Sequence, residues 1–255
     1  MSGLRLRALV LALLAPLVLA QAEPRLVPDV SDRNIEIHYS FSGAELLLFG
    51  AIIYPGGVVP EDPADIAVVV KGPLQPIIVR EKQKVAGIWM NVENERFRSA
   101  PSFYAVASSS PLSELVDERT AAIYELGLEN LQLSPGAGAT PAEQQRFERG
   151  LIDLMRRQQL YLEKPDGVEI TGGVLYRARL TIPARVPVGD YTAETFLIQD
   201  GRVIAAAVRE IRIEKLGFER FVAEAADDWS FTYGLVAVLV SLFLGWSASA
   251  LFRRA

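Results

Sequence analysis

Residues able to do chemistry are few in this chain. His38 is its single histidine and there is no cysteine, so a Ser-His-Asp relay or an imidazole metal site would rest on that one side chain. His38 falls on the polar side of an alternating segment, where a solvated surface residue is expected. Met90 and Met155 are the only methionines beyond Met1, so copper and zinc lack ligands, and no metal or other cofactor is expected. Carboxylates are plentiful, with 31 Asp and Glu, and glycosidase-type hydrolysis needs only two of them about 5 to 10 Å apart. Composition selects no such pair. Glu61-Asp62-Pro63-Ala64-Asp65 lacks the ligand spacing of a calcium loop and reads as a charged turn. Gly56-Gly57 and Gly172-Gly173 lack the Lys-Ser/Thr that completes a phosphate loop and also read as turns.

Two features point to binding. In Gly87-Ile88-Trp89-Met90-Asn91, alternation places Trp89 and Asn91 on one face if Ile88, Met90 and Val92 turn to a core. An exposed Trp there is an anchor for a partner or ligand; the other reading is that a helical segment packs over the ring. Ala237, Ser241, Gly245 and Ser249 recur every four residues in an apolar run. They form a stripe of small side chains that permits close approach of another helix, with Ser hydroxyls available for hydrogen bonds between helices.

That run, 230–252, carries no charge and is followed by Arg253 and Arg254. At about 1.5 Å per residue it is long enough to cross a bilayer core of roughly 30 Å as one helix. At the other end, Arg5 and Arg7 precede the apolar residues 8–19, and Ala20-Gln21-Ala22 supplies small residues for cleavage. Residues 1–22 therefore read as a secretory signal. The terminal arginines, by the positive-inside bias, put 253–255 in the cytoplasm and the 23–213 body in the periplasm or at the cell exterior. Removing Arg5, Arg7, Arg253 and Arg254 from 26 basic residues leaves 22 against 31 acidic ones. An acidic body argues against nucleic acid or anionic lipid headgroups as partners.

The body reads as mainly β. Residues 34–41 alternate strictly, and 45–53 are apolar on both parities, as in a strand buried on both sides. Further short strands are expected at 66–70, 76–80, 87–92 and 103–108. The period then changes. Ser110-Pro111 opens a helix whose face is Leu112, Leu115, Val116, Ile123 and Leu126, and Thr140-Pro141-Ala142-Glu143 has the spacing of a capping box opening a second. A helical pair at about 111–164 thus interrupts the strands. They resume at 174–182, and Pro187-Val188-Gly189-Asp190-Tyr191 resembles the turn that sets a corner tyrosine in immunoglobulin-like sandwiches. Asp200-Gly201 then joins 192–199 to 202–213 as a hairpin. The expected fold is α+β, an immunoglobulin-like antiparallel sandwich with an inserted helical pair and one C-terminal transmembrane helix. Residues 214–229, with Phe218, Phe221, Val222, Ala225 and Trp229 at helical spacing, read as an amphipathic helix at the membrane interface.

The strings VSDRNIEIHYSFSGAELLLFGAI, DIAVVVKGPLQPIIVREKQKVAGIWMN, APSFYAVASSSPLSEL and TYGLVAVLVSLFLGWSASALFRR resemble a family of uncharacterised alphaproteobacterial transmembrane proteins. The resemblance covers nearly the whole chain after the signal. It implies an exported β-rich domain on one C-terminal span, hints at a permease as partner, and assigns no functional residue. The expected function is a non-enzymatic, membrane-anchored accessory protein. It would meet the bilayer and either an inner-membrane protein, such as a transporter, or a second copy of itself through the C-terminal helix. The alternative is an envelope hydrolase working through paired carboxylates.

Overall fold

The structure, a computed structural model, describes residues 24–37, 43–136, 139–215, 222 and 226–252. Residues 1–22, read from the sequence as a secretory signal, His38, the end of the expected 34–41 strand, Arg253 and Arg254 lie outside the described residues. So do Phe218, Phe221 and Ala225 of the expected interfacial helix.

Two sheets share one core. The smaller has the order β1-β3-β10-β9, built from Arg25–Val30, Gly43–Ile53, Leu175–Pro183 and Val168–Thr171. The larger has the order β2-β12-β11-β4-β7-β8, from Asn34–Ile37, Arg202–Lys215, Gly189–Gln199, Asp65–Lys71, Tyr104–Ser108 and Tyr161–Lys164. Leu46, Leu48, Ile52, Tyr176, Ala178, Leu180 and Ile182 from the first meet Ile66, Val68, Val70, Val106, Tyr191 and Ile211 from the second in a single buried cluster. Burial of these side chains supplies the main driving force. Pairing is antiparallel except for β12 with β2 and β7 with β8.

Alternation explains β10 directly, since Tyr176, Ala178, Leu180 and Ile182 are buried between exposed neighbours. The structure corrects the reading of β3. Leu46, Leu48 and Ile52 are buried, but Phe49 and Ile53 are exposed. Only one face of that sheet meets the core, so a run apolar on both parities becomes an ordinary two-faced strand. β4 and β7 are covered on both sides, with Ile66 to Val70 and Tyr104 to Ser108 all buried. The corner tyrosine forms, as the Tyr191 hydroxyl donates to the Pro187 carbonyl at 2.7 Å.

The helical insert differs from expectation at both ends. Its first part is two short helices, α1 (Leu112–Leu115) and α2 (Glu118–Tyr124), because Asp117 caps a new helix by accepting from the Thr120 amide. Ile123 is consequently exposed. The capping box of α3 (Pro141–Arg157) forms as the spacing predicts, and Phe147, Leu151 and Met155 are buried. α3 stops at Arg157 rather than near Lys164. Gln159 takes a positive φ of 60°, the Leu160 amide bonds back to the Met155 carbonyl, and Tyr161–Lys164 leaves as β8 along β7. Burial of Tyr161 against the core outweighs continuation of the helix.

Between β4 and β7 the chain makes a long two-stranded ribbon, β5 (Leu74–Val85) and β6 (Ile88–Pro101). These replace two short strands expected at 76–80 and 87–92. The ribbon prolongs the β4–β7 ladder. Lys71 pairs with Tyr104, the Gly72 amide donates to the Phe103 carbonyl, the Ser102 amide donates to the Pro73 carbonyl, and Leu74 pairs with Pro101. Pro76, which has no amide to donate, sits where the register shifts. The last described helix is α4 (Ser230–Phe252).

Candidate functional site

The ribbon is held along its lower part and free at its end. Near the base, the Arg98 amide donates to the Ser134 carbonyl at 2.8 Å and the Ser134 amide to the Ser99 carbonyl at 3.2 Å. Higher up, the Gly136 amide donates to the Glu95 carboxylate at 2.7 Å. The last brace is Arg146 of α3, whose guanidinium reaches Glu81 at 3.4 Å and Glu93. Glu81 and Glu93 stand opposite each other in the register, so one cation of the insert clasps both strands.

Beyond that clasp lie residues 82–92, closed by a two-residue turn at Ala86 (φ 49°) and Gly87 (φ 89°). Positive φ at both positions is the turn geometry that matches the twist of a two-residue hairpin, and glycine adopts it without strain. Val85, Ile88, Trp89, Met90 and Val92 are all exposed, Ile88 at 68%, Trp89 at 67% and Met90 at 52%. The sequence places Ile88, Met90 and Val92 on a core; the structure corrects this, because the ribbon passes beyond the sandwich and neither face is covered at its tip. The insert does not pack over Trp89 either. α3 crosses the ribbon lower down, beside Val79 and Glu81.

Ala237, Ser241, Gly245 and Ser249 all belong to α4. The Ser241 hydroxyl donates to the Ala237 carbonyl at 2.8 Å within the helix. Side chains from Ser230 to Trp246 are exposed throughout, and a Cβ added to Gly245 would meet nothing within 4 Å. Among the described residues, none covers this helix along 230–246.

The remaining candidates resolve locally. Asp65 accepts from the Ser109 hydroxyl at 2.7 Å, which ties the start of β4 to the end of β7. Gly56 and Gly57, and Gly172 and Gly173, have positive φ in turns. Among the described residues, no group of three or more acidic or histidine side chains is placed to hold a metal. A cleft of roughly 770 Å³ opens between the insert and β8, with Glu118, Glu129, Asp153, Glu163, Arg149 and Arg156 on its wall. Glu163 there accepts from the Leu128 amide at 3.3 Å. At the opposite edge of α2, the Lys71 ammonium lies 2.8 Å from Glu125 and 3.4 Å from Glu194, and joins the insert to the central strands.

Fold and surfaces define a class: a membrane protein with a strand-rich body, an exposed two-stranded arm and one apolar C-terminal helix long enough to span a bilayer. The chain matches, over residues 25–254, the family described as "Putative transmembrane protein (Alph_Pro_TM)", and it belongs to that family. A search of curated proteins returned no match. The arm is what sequence reasoning missed. Its signal was present in the apolar run 85–92 around Ala86-Gly87, flanked by Lys82 and Lys84 rather than by core-forming strands.

Proposed function

We propose that this chain is a membrane-anchored accessory protein of the bacterial inner membrane, without enzymatic activity of its own. Its body lies in the periplasm, its terminal arginines lie in the cytoplasm, and α4 pairs with a helix of a transporter or of a second copy. One observation carries this reading. α4 is exposed along 230–246, and among the described residues no other element covers Ala237, Ser241 or Gly245. Without a hydrophobic gain between helices in lipid, association depends on close backbone approach, and a small-residue stripe supplies that approach. The immunoglobulin-like corner at Tyr191 fits a rigid body that presents surfaces.

The test is a mild-detergent affinity purification of the tagged full-length protein from its own membranes, beside a Gly245→Leu variant. Since a Cβ at position 245 meets no other described element within 4 Å, the variant is expected to keep the fold and lose close approach. A polytopic membrane protein or a second copy should co-purify with the wild type and be depleted with the variant. Recovery of the same species with both, or of the bare monomer alone, would overturn the reading and direct attention to the acid-lined cleft and hydrolysis.

A further inference from the structure

We propose that the ribbon tip, residues 82–92, enters the headgroup region of the bilayer in which α4 is anchored, so that the body meets the membrane at a second point. Three observations converge on a lipid surface as the occupant.

The first is the origin of the ribbon. β4 and β12 are both antiparallel to β11, so they run in the same direction. β12 pairs its Ile213 with Gly189, and Gly189 abuts Pro73, where a Cβ built on Gly189 would lie 3.1 Å from the proline ring. The ribbon therefore springs from the end of the sheet at which β12 hands the chain on toward α4. The twelve residues of β5, at about 3.3 Å each, reach roughly 40 Å from that point. Tethering by α4 keeps the tip at high effective concentration at the bilayer surface, so weak contacts suffice.

The second is the chemistry of the tip. Above the Arg146 clasp all five large apolar side chains are exposed, and a two-stranded ribbon unsupported in water gains nothing from displaying them. Trp has an apolar body and one N–H, which suits the boundary between headgroups and acyl chains.

The third is charge. The body is acidic, yet residues 82–92 contain Lys82 and Lys84 and no carboxylate. The acids that flank them, Glu81 and Glu93, are both engaged by Arg146. Lys84 pairs with Trp89 and Lys82 with Asn91 across the ribbon, so both lysines share the face of the indole. Cations beside an apolar wedge complement anionic headgroups, and each strengthens the surface-bound state about five-fold.

The inference rests on α4 as the membrane anchor, not on what α4 pairs with. To test it, the full chain with Trp229→Phe and Trp246→Phe, leaving Trp89 as the sole Trp, is reconstituted into vesicles of phosphatidylcholine and phosphatidylglycerol. Flotation with the vesicles first confirms anchoring. The expected result is blue-shifted Trp89 emission, quenched by phosphatidylcholine brominated high on its acyl chains and shielded from aqueous iodide. Lys82→Glu with Lys84→Glu, at sites that bear no fold contacts, should restore iodide quenching while flotation persists. Red-shifted, iodide-quenched Trp89 in floating vesicles would overturn the tip proposal and leave the anchor standing. Shielding that appears in native membranes but not in lipid vesicles would also overturn it, since a protein would then be the occupant.

Discussion

Trp89 stands directly across the ribbon from Lys84, one pair below the turn and beyond the point where Arg146 ties Glu81 to Glu93. A large aromatic side chain in this position contributes little to the fold. Trp89→Ala is expected to change the unfolding free energy of the detergent-solubilised chain by less than about 0.5 kcal/mol, the usual range for exposed sites without special contacts. Chemical denaturation followed by circular dichroism checks this, and a loss of several kcal/mol would mean that the ring is packed.

At the base of the ribbon the demand on side chains is the reverse. A Cβ on Gly72 would lie 2.6 Å from the Ser102 hydroxyl and 2.8 Å from the Tyr191 ring. Both neighbours are buried, so neither can withdraw. Gly72→Ala is expected to cost about 1 to 3 kcal/mol by overpacking, read as a lower denaturation midpoint with an unchanged slope. Gly150→Ala is the control, because Gly150, like Gly72, has no positive φ and a Cβ there meets nothing within 4 Å.

Lys71 is the cation that lets Glu125 and Glu194 approach each other in a half-buried site. Lys71→Ala should destabilise the chain by about 1.5 to 3 kcal/mol, the scale of a lost charged hydrogen bond. Hydrogen exchange should locate the loss in 118–130, where Tyr104 donates to the Glu125 carbonyl and accepts from the Gly127 amide. Equal loosening across the whole sandwich would contradict a local role.

The start of α3 is sensitive to acid. Hydrogen bonds from the Thr140 amide and hydroxyl, both at 2.8 Å, hold the Glu143 carboxyl below its ordinary value of 4.5. A depressed folded value means that the stabilisation is complete above the ordinary carboxylate range and is lost as pH falls through the folded value. Thr140→Ala should cost about 1 kcal/mol at neutral pH. The gap to wild type should narrow as pH falls through the folded value, since protonation removes from the wild type the hydroxyl-to-carboxylate bond that the variant already lacks. Denaturation at neutral and acid pH decides this, and a gap that stays constant would exclude Glu143 as the cause.

Alkali acts on the buried tyrosines. Burial pushes the Tyr191 phenol up to about 12, and it pushes Tyr104 and Tyr161 up as well. Since the folded values lie above the ordinary 10.0, these groups favour the fold fully below pH 10 and progressively less as pH rises through the folded values. Ultraviolet titration should show them ionising late and together with unfolding, whereas early ionisation without unfolding would mean that they are accessible.

Local rules were enough for much of this protein. The charge-free run 230–252 specified an apolar helix, Thr140 with Glu143 specified the start of α3, and alternation from Tyr176 to Ile182 specified a half-buried strand, because each depends only on neighbours along the chain. Asp200-Gly201 and the corner at Tyr191 belong with these, since turn geometry is set by a few residues. Burial that depends on distant partners was not legible. Phe49 reads like Leu48, yet one faces solvent and the other the core, because only one face of β3 is covered by the second sheet. Likewise, 74–101 reads as two short core strands, but the ladder continues through Gly72 and Ser102 past the end of the sandwich. No periodicity records where a neighbouring sheet stops. The stripe on α4 was visible in the sequence, whereas the exposed Trp89 tip, the Arg146 clasp on Glu81 and Glu93, and the departure of the ribbon from the anchor end arise from pairings across the fold.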